Sequence, residues 1–229
     1  MYDLAILGGN VVSSGSVAVA DVLIKDGAIV RVLPADEGGG AGVGGVRAER
    51  EVDARGMLVM PGVIDPHVHF ELRSRGTVTA DDFASGTRCA AAGGVTTVID
   101  YADHLPGMTL SQCAAVRLSE IRPQAAVDYA VHQNCIRIGN NIGDQLADLR
   151  RAGIGSVKVF TTYKDAGYML EGDDLEALLR EAKRHGVLVT VHAEDNDLIE
   201  QARCRLEAAG RVSPAYHGQS RPREAEERA

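Results

Sequence analysis

An α/β fold with a small β part at its N-terminus follows from three features of the sequence. Residues 1–55 alternate short apolar runs with turn residues. From Met60 onward, β-branched apolar runs recur every ~30 residues, the length of one βα unit. The stretches between those runs carry helix starts, helical apolar spacing and glycine stops. The chain therefore divides into a small β-sandwich part, 1–55, and a (β/α) part, 56–229.

In the first part, Leu4-Ala5-Ile6-Leu7 ends at Gly8-Gly9. Val17-Ala18-Val19 and Val22-Leu23-Ile24 follow as short strands, then Lys25-Asp26-Gly27 and Ile29–Leu33. Asp-Gly between apolar runs is a strong hairpin signal, because both central residues of the turn need φ > 0. Residues 36–46 are glycine-rich and read as a flexible loop. They lack the G-x-x-x-x-G-K-[ST] pattern and a following helix, so a phosphate cradle is not expected.

In the second part the strand runs are Gly62–Ile64, Val95–Ile99, Val127–Val131, Val157–Phe160 and Val187–Val191. Thr79-x-x-Asp82 resembles a capping box leading into Phe83 and an alanine-rich helix that ends at Gly93. Leu175, Leu178, Leu179 and Ala182 follow the i, i+3, i+4, i+7 spacing, and Gly186 closes that helix. Leu198, Ile199, Ala202 and Leu206 behave alike before Gly210. Continuous β-branched strands alternating with helices mean a parallel sheet covered by helices. The residues after 55 are too few for the eight units of a closed (β/α)8 barrel of ~250 residues. At this point the sheet is either open and doubly wound, or a barrel that stops short of closure.

Composition narrows the function. Lys plus Arg number 24 against 32 Asp plus Glu, a net charge of −8, and no basic cluster is present, so nucleic acid is not an expected partner. Aromatics are 4% and Trp is absent, which argues against a base-stacking platform. With 45% apolar residues there is material for a large core. No apolar run reaches ~18 residues, so no membrane partner is expected. The N-terminus lacks the pattern of an export signal, and the expected location is cytoplasmic. Cys89, Cys113, Cys135 and Cys204 are widely spaced, without a C-x-x-C pair, and read as reduced, mostly buried thiols.

The chemistry sits at the strand ends. In Pro61-Gly62-Val63-Ile64-Asp65-Pro66-His67-Val68-His69, alternation along a strand puts His67 and His69 on one face. Two imidazoles so placed can share one transition metal. His192 ends the fifth strand run and is a ligand candidate. Lys158 lies between Val157 and Val159, where a charged amine is costly to bury. It is either an ammonium reaching an acid at the barrel mouth or a neutral amine open to chemical modification. His132 reads as a satisfied interior side chain and His104 as a residue near the substrate entrance. His185 reads as a helix-end cation, and His217 as structural.

These segments together resemble the amidohydrolase superfamily, and within it the cyclic amidase branch of hydantoinase, dihydropyrimidinase and allantoinase. The resemblance runs over essentially the whole chain. It is carried by Pro61–His69, Asp81–Thr87, Ala91–Asp100, Val157–Lys164, Val191–Asp195, and Tyr216-His217 before Ser220-Arg221-Pro222. Thr79-Ala80-Asp81-Asp82-Phe83 and Tyr163-Lys164 point to hydantoinase and dihydropyrimidinase over dihydroorotase.

The resemblance implies an incomplete TIM-barrel-type (β/α)8 amidohydrolase fold of about five strands, with the small β domain before it. It implies a binuclear zinc site. His67 and His69 would bind the more buried ion, Lys158, carboxylated to a carbamate, would bridge both, and His192 would bind the second. A metal-bridging hydroxide would open a cyclic amide C–N bond, converting a dihydropyrimidine or 5-substituted hydantoin to an N-carbamoyl amino acid. Tyr163 matches the tyrosine that hydrogen-bonds the oxyanion. A homotetramer is the family's usual assembly. The alternatives are allantoinase, a non-catalytic assembly relative of dihydropyrimidinase, or an inert truncated product. The family's further histidine and its proton-shuttling aspartate have no match before Ala229, so the chain is expected to be a fragment, inactive and unstable alone.

Overall fold

The computed structural model describes residues 1–34, 48–74 and 76–229. The glycine-rich segment 36–46 lies outside the described residues. Contacts divide the chain into two units, Met1–Gly62 and Val63–Ala229.

The first unit is a sheet of β1 (Tyr2–Val12), β2 (Val17–Lys25), β3 (Ala28–Pro34), β4 (Ala48–Asp53) and β5 (Leu58–Val59). Its order is β3-β2-β1-β4, with β5 also pairing with β1. The β2–β3 hairpin turns at Asp26 and Gly27, with φ of 52° and 73°, as the Asp-Gly signal requires. The two runs expected as separate strands at 17–24 are one strand. Buried Asp21 lies between them, and its carboxylate accepts the Gly8 N–H at 2.7 Å beside a bulge in β1. That bond gives one of the carboxylate oxygens a backbone partner within the buried stretch of the strand.

The second unit contains β6 (Val63–Asp65), a short hairpin of β7 (Arg73–Ser74) and β8 (Thr77–Val78), α1 (Phe83–Ala92) and β9 (Val95–Ala102). Next come α2 (Leu110–Ile121), β10 (Asp128–Asn134), α3 (Ile142–Arg151) and β11 (Ser156–Phe160). The chain continues through α4 (Gly172–His185), β12 (Leu188–His192), α5 (Asn196–Ala208), a 3-10 segment (Pro214–Ser220) and α6 (Arg223–Arg228). The parallel sheet runs in chain order, β6-β9-β10-β11-β12. A doubly wound sheet reverses its order at a switch point. This one does not, so it is a curled, incomplete (β/α)8 barrel.

The core lies between the sheet and its helices. Val131, Val157 and Val159 of the strands meet Leu110, Ala114, Leu146, Leu149 and Leu178 of α2, α3 and α4. The alternate strand residues therefore face the barrel interior. The outer strands β6 and β12 leave Val63, Ile64, Leu188 and Val191 exposed. No helix among the described residues is long and apolar enough to cross a membrane.

Several local expectations shift. The cap of α1 is Asp82, not Thr79. Asp82 accepts the Ser85 N–H at 2.6 Å, and its own N–H donates to Ser85 Oγ. Thr79 Oγ1 instead accepts the Leu72 N–H at 2.9 Å across the β7–β8 hairpin, a competing local bond that sequence spacing does not reveal. Leu179 of α4 is exposed, while Leu178 and Ala182 are buried. Cys113 and Cys135 are buried, but Cys89 and Cys204 lie on exposed helix positions, so only half of the thiols are interior.

Gly86 in α1 is set by a close approach. A Cβ there would lie 2.2 Å from the Phe70 ring. An exposed helical Gly→Ala change gains ~1 kcal/mol from propensity. Gly86→Ala is expected to lose about 1–3 kcal/mol by overpacking instead, which urea denaturation would measure.

Candidate functional site

The C-terminal ends of the parallel strands open onto one cavity of about 560 Å³. His67, His69, Lys158, Tyr163 and His192 all line it, with Tyr101, Asn134 and Phe160 among the others. The five side chains singled out in the sequence are thus brought together, from the segment after β6, the middle of β11, the loop after it and the end of β12.

His67 and His69 follow β6. The Asp65 carboxylate accepts the His67 N–H at 3.1 Å, and the Val68 N–H donates to Ile99 O at 3.1 Å. These bonds keep the backbone extended past the strand end, with Val68 buried and both imidazoles on the other side. Their Nε2 atoms are 3.2 Å apart. The Tyr101 ring packs against both, at centroid distances of 4.6 Å to His67 and 4.9 Å to His69. Burial lowers the pKa of His67, with the Lys158 charge second. Burial also lowers that of His69, with His67 second.

Lys158 is 8% exposed and has no hydrogen bond or ion pair among the described residues. Its Nζ lies 5.3 Å from the Phe160 ring centroid. Burial lowers its pKa. The acid partner that would make it an ordinary paired ammonium is thus absent among the described residues. Asn134, its register partner on β10, has a buried Oδ1 without a hydrogen bond.

His192 ends β12, and its Nε2 lies 2.6 Å from Glu194 Oε2. A carboxylate only accepts, so Nε2 carries the hydrogen and the Nδ1 lone pair is left as donor, the arrangement typical of carboxylate-supported ligating histidines. Tyr163 has φ 63° and ψ 40°, a left-handed conformation that an aromatic residue rarely adopts. Its carbonyl accepts the N–H groups of Ala166 and Tyr168. Its flanking residues Thr162 and Lys164 both bond to Asn196 Oδ1. These bonds hold a conformation that costs ~1–3 kcal/mol. The Tyr163 hydroxyl reaches to 3.5 Å from His192 Nε2.

The weaker histidines separate cleanly. His132 is interior and satisfied. Its Nε2 donates to Pro66 O at 3.1 Å, so its Nδ1 accepts from the Ser156 hydroxyl at 2.5 Å. His104 does not line the cavity. Its Nδ1 accepts the Ile136 N–H, and burial, with Arg137 second, pushes its pKa down to about 4. His185 lies in the last turn of α4, beside Glu181.

Sequence reasoning missed Tyr101, the buried Arg117–Asp100 pair behind it, and the roles of Glu194 and Arg221. Glu194 and Arg221 lie inside motifs that carried the resemblance. Tyr101 carried no signal beyond its place after Asp100.

With this geometry in view, the class of protein is defined: residues 58–219 match the amidohydrolase family, and the chain belongs to it. It is 36% identical to D-hydantoinase of Ralstonia pickettii, over 96% of this chain and 46% of that protein. It is 34% identical to dihydropyrimidinase of Rattus norvegicus, over 96% of this chain and 42% of that protein. A solved D-hydantoinase structure superimposes with a TM-score of 0.88 at 36% identity, over 100% of this chain and 48% of that one. The chain spans about half the length of the curated relatives it matches.

Proposed function

We propose that the protein to which this chain belongs is a metal-dependent cyclic amidase, opening a C–N bond of a dihydropyrimidine or hydantoin ring. The observation that carries the reading is the convergence of His67, His69, Lys158, His192 and Tyr163 on one cavity at the C-terminal strand ends. Relatives named D-hydantoinase and dihydropyrimidinase support the substrate class.

The side chains fit a pair of zinc ions. Two nitrogens at ~2.05 Å on one tetrahedral ion lie about 3.3 Å apart, and the His67 and His69 Nε2 atoms are at 3.2 Å. Among the described residues no group of three or more His, Cys, Asp or Glu forms a metal-binding cluster. The proposed set accounts for this, because its third member is a lysine that becomes an oxygen donor only on carboxylation. Carboxylation would turn the Lys158 amine, which has no partner among the described residues, into an anionic oxygen donor on the cavity that the three imidazoles line. His192 would offer Nδ1. Bound there, the ions supply Lewis acidity and an activated water.

The chain's own residues do the rest. His67 and His69, packed on Tyr101, present preset nitrogens. The Tyr163 hydroxyl, held at the cavity by its left-handed turn, would donate to the oxygen that becomes negative as the ring carbonyl is attacked. The remaining strands and the proton-transferring acid would come from sequence corresponding to the other half of the relatives.

The test is ring opening of dihydrouracil and hydantoin by the full-length protein, before and after chelation and with zinc restored. Turnover lost on chelation and recovered with zinc is expected; turnover indifferent to chelation, or none from zinc-loaded protein, sinks the reading. Tyr163→Phe is expected to lower kcat by about 10²–10³, the loss typical of one oxyanion donor. Steady-state kinetics on both substrates checks it.

A further inference from the structure

Four side chains from three segments of the chain, Tyr163, His192, Glu194 and Arg221, meet beside the cavity. Arg221 follows the 3-10 segment Pro214–Ser220, beyond α5. Its Nη1 lies 2.5 Å from Glu194 Oε2, and its guanidinium stacks over the Tyr163 ring at 5.1 Å. The same Glu194 oxygen lies 2.6 Å from His192 Nε2. The Glu194 backbone is tied in turn to β11's end: its N–H donates to Thr161 Oγ1 at 3.0 Å, and Thr161 Oγ1 donates back to Glu194 O.

We propose that Arg221 is a positioning residue for the ring-opening reaction. It clamps the Tyr163 ring by stacking and, through Glu194, holds the His192 imidazole. The inference rests on the cyclic amidase reading. Its physical basis is a division of labour. The left-handed backbone at Tyr163 sets where the side chain leaves the loop, but leaves the ring two soft torsions. A planar cation across one face removes that freedom. A planar guanidinium covers a broad area of the ring face while one nitrogen bonds the carboxylate, whereas a compact ammonium at the carboxylate covers far less of the ring. The bland alternative is that Arg221 merely neutralises buried Glu194, a task lysine could perform.

The test uses the full-length zinc-loaded protein. Arg221→Lys keeps the charge beside Glu194 and is the variant expected to fold. It should lower kcat about 10–100-fold, the cost of losing a supporting partner, with KM changed less than about threefold. Combined with Tyr163→Phe, it should cost no more than about threefold beyond Tyr163→Phe alone, because the two act as a unit. Added methylguanidinium should restore more of the kcat of Arg221→Ala than of Arg221→Ala/Tyr163→Phe, where only the support of His192 through Glu194 remains to be recovered. A kcat for Arg221→Lys within twofold of the parent, or losses that multiply fully in the double variant, overturns the proposal.

A readout independent of turnover separates this from failure of the cyclic amidase reading. In fluorotyrosine-labelled protein, the Tyr163 resonance, assigned by its loss in Tyr163→Phe, should be single in the parent. It should broaden or split in Arg221→Lys. An unchanged resonance overturns the clamp even if ring opening is confirmed. A changed resonance in a protein that opens no ring leaves the clamp standing and removes the cyclic amidase reading.

Discussion

On the cyclic amidase reading, Lys158→Met is expected to abolish ring opening by the full-length protein while leaving its metal-free form as stable as the parent, or more so by on the order of 1 kcal/mol. The amine is 8% exposed, lies over the Phe160 ring and has no acid partner among the described residues. A charge buried without a partner costs folding energy. Methionine has a similar length and fills the same space without that cost. A residue kept for packing would behave oppositely, losing stability with little effect on turnover. Loss of activity of at least about 10³-fold is expected, because the variant removes a charge that no neighbour can replace. Denaturant midpoints of the metal-free forms and turnover of the zinc-loaded forms measure the two halves. Carbon-13-labelled bicarbonate should give a carbamate signal in the parent and none in Lys158→Met. Retained turnover, or a drop in stability beyond about 2 kcal/mol, contradicts the assignment.

Arg117→Met is the change expected to damage the fold most, by about 3–5 kcal/mol. Arg117 Nη2 lies 2.7 Å from Asp100 Oδ2 and donates to Phe70 O at 2.6 Å. Its guanidinium sits 4.6 Å over the Phe83 ring. Asp100 is 1% exposed, and its other oxygen accepts the Tyr101 N–H at 2.8 Å. Burial pushes the Asp100 carboxyl up to about 6 even with Arg117 beside it. Removing the arginine strands that group in the core and orphans the Phe70 carbonyl. Adding Asp100→Asn to Arg117→Met should recover much of the loss, since no uncompensated charge then remains. Urea denaturation of the single and double variants decides this; a single-variant loss under about 1 kcal/mol would show the pair to be dispensable. The pair anchors the backbone directly after His69 and directly before Tyr101. On the proposed metal site, zinc affinity should therefore fall with stability in Arg117→Met and recover with it in the double variant.

Much of the site was legible because its signals are local. Each strand run expected from Met60 onward has its counterpart in the parallel sheet, since short runs rich in β-branched residues favour a strand without reference to the rest of the chain. The closures at Gly186 and the Asp26-Gly27 turn are equally local, as both need φ > 0. Helix starts were less secure. Thr79 and Asp82 are both good caps, and only the β7–β8 hairpin, which claims the Thr79 hydroxyl, decides between them. The hairpin itself is two residues per strand, too short for a periodic signal.

The sequence alone determined that His67 and His69 share a face, that Lys158 is enclosed by apolar neighbours, and that His192 ends a strand. Each of these depends on the two-residue period of a strand and on no distant contact. Tertiary structure was needed to show that the sheet keeps one winding direction, so that all these ends open on one cavity. It was needed too for the supports: Tyr101 against the paired imidazoles, Arg117 reaching Phe70 across 47 positions, and Arg221 reaching Glu194 across 27. Such contacts follow from how the strands curl and which helix lies behind them. A charged or aromatic residue far along the chain carries no mark of the partner it will meet.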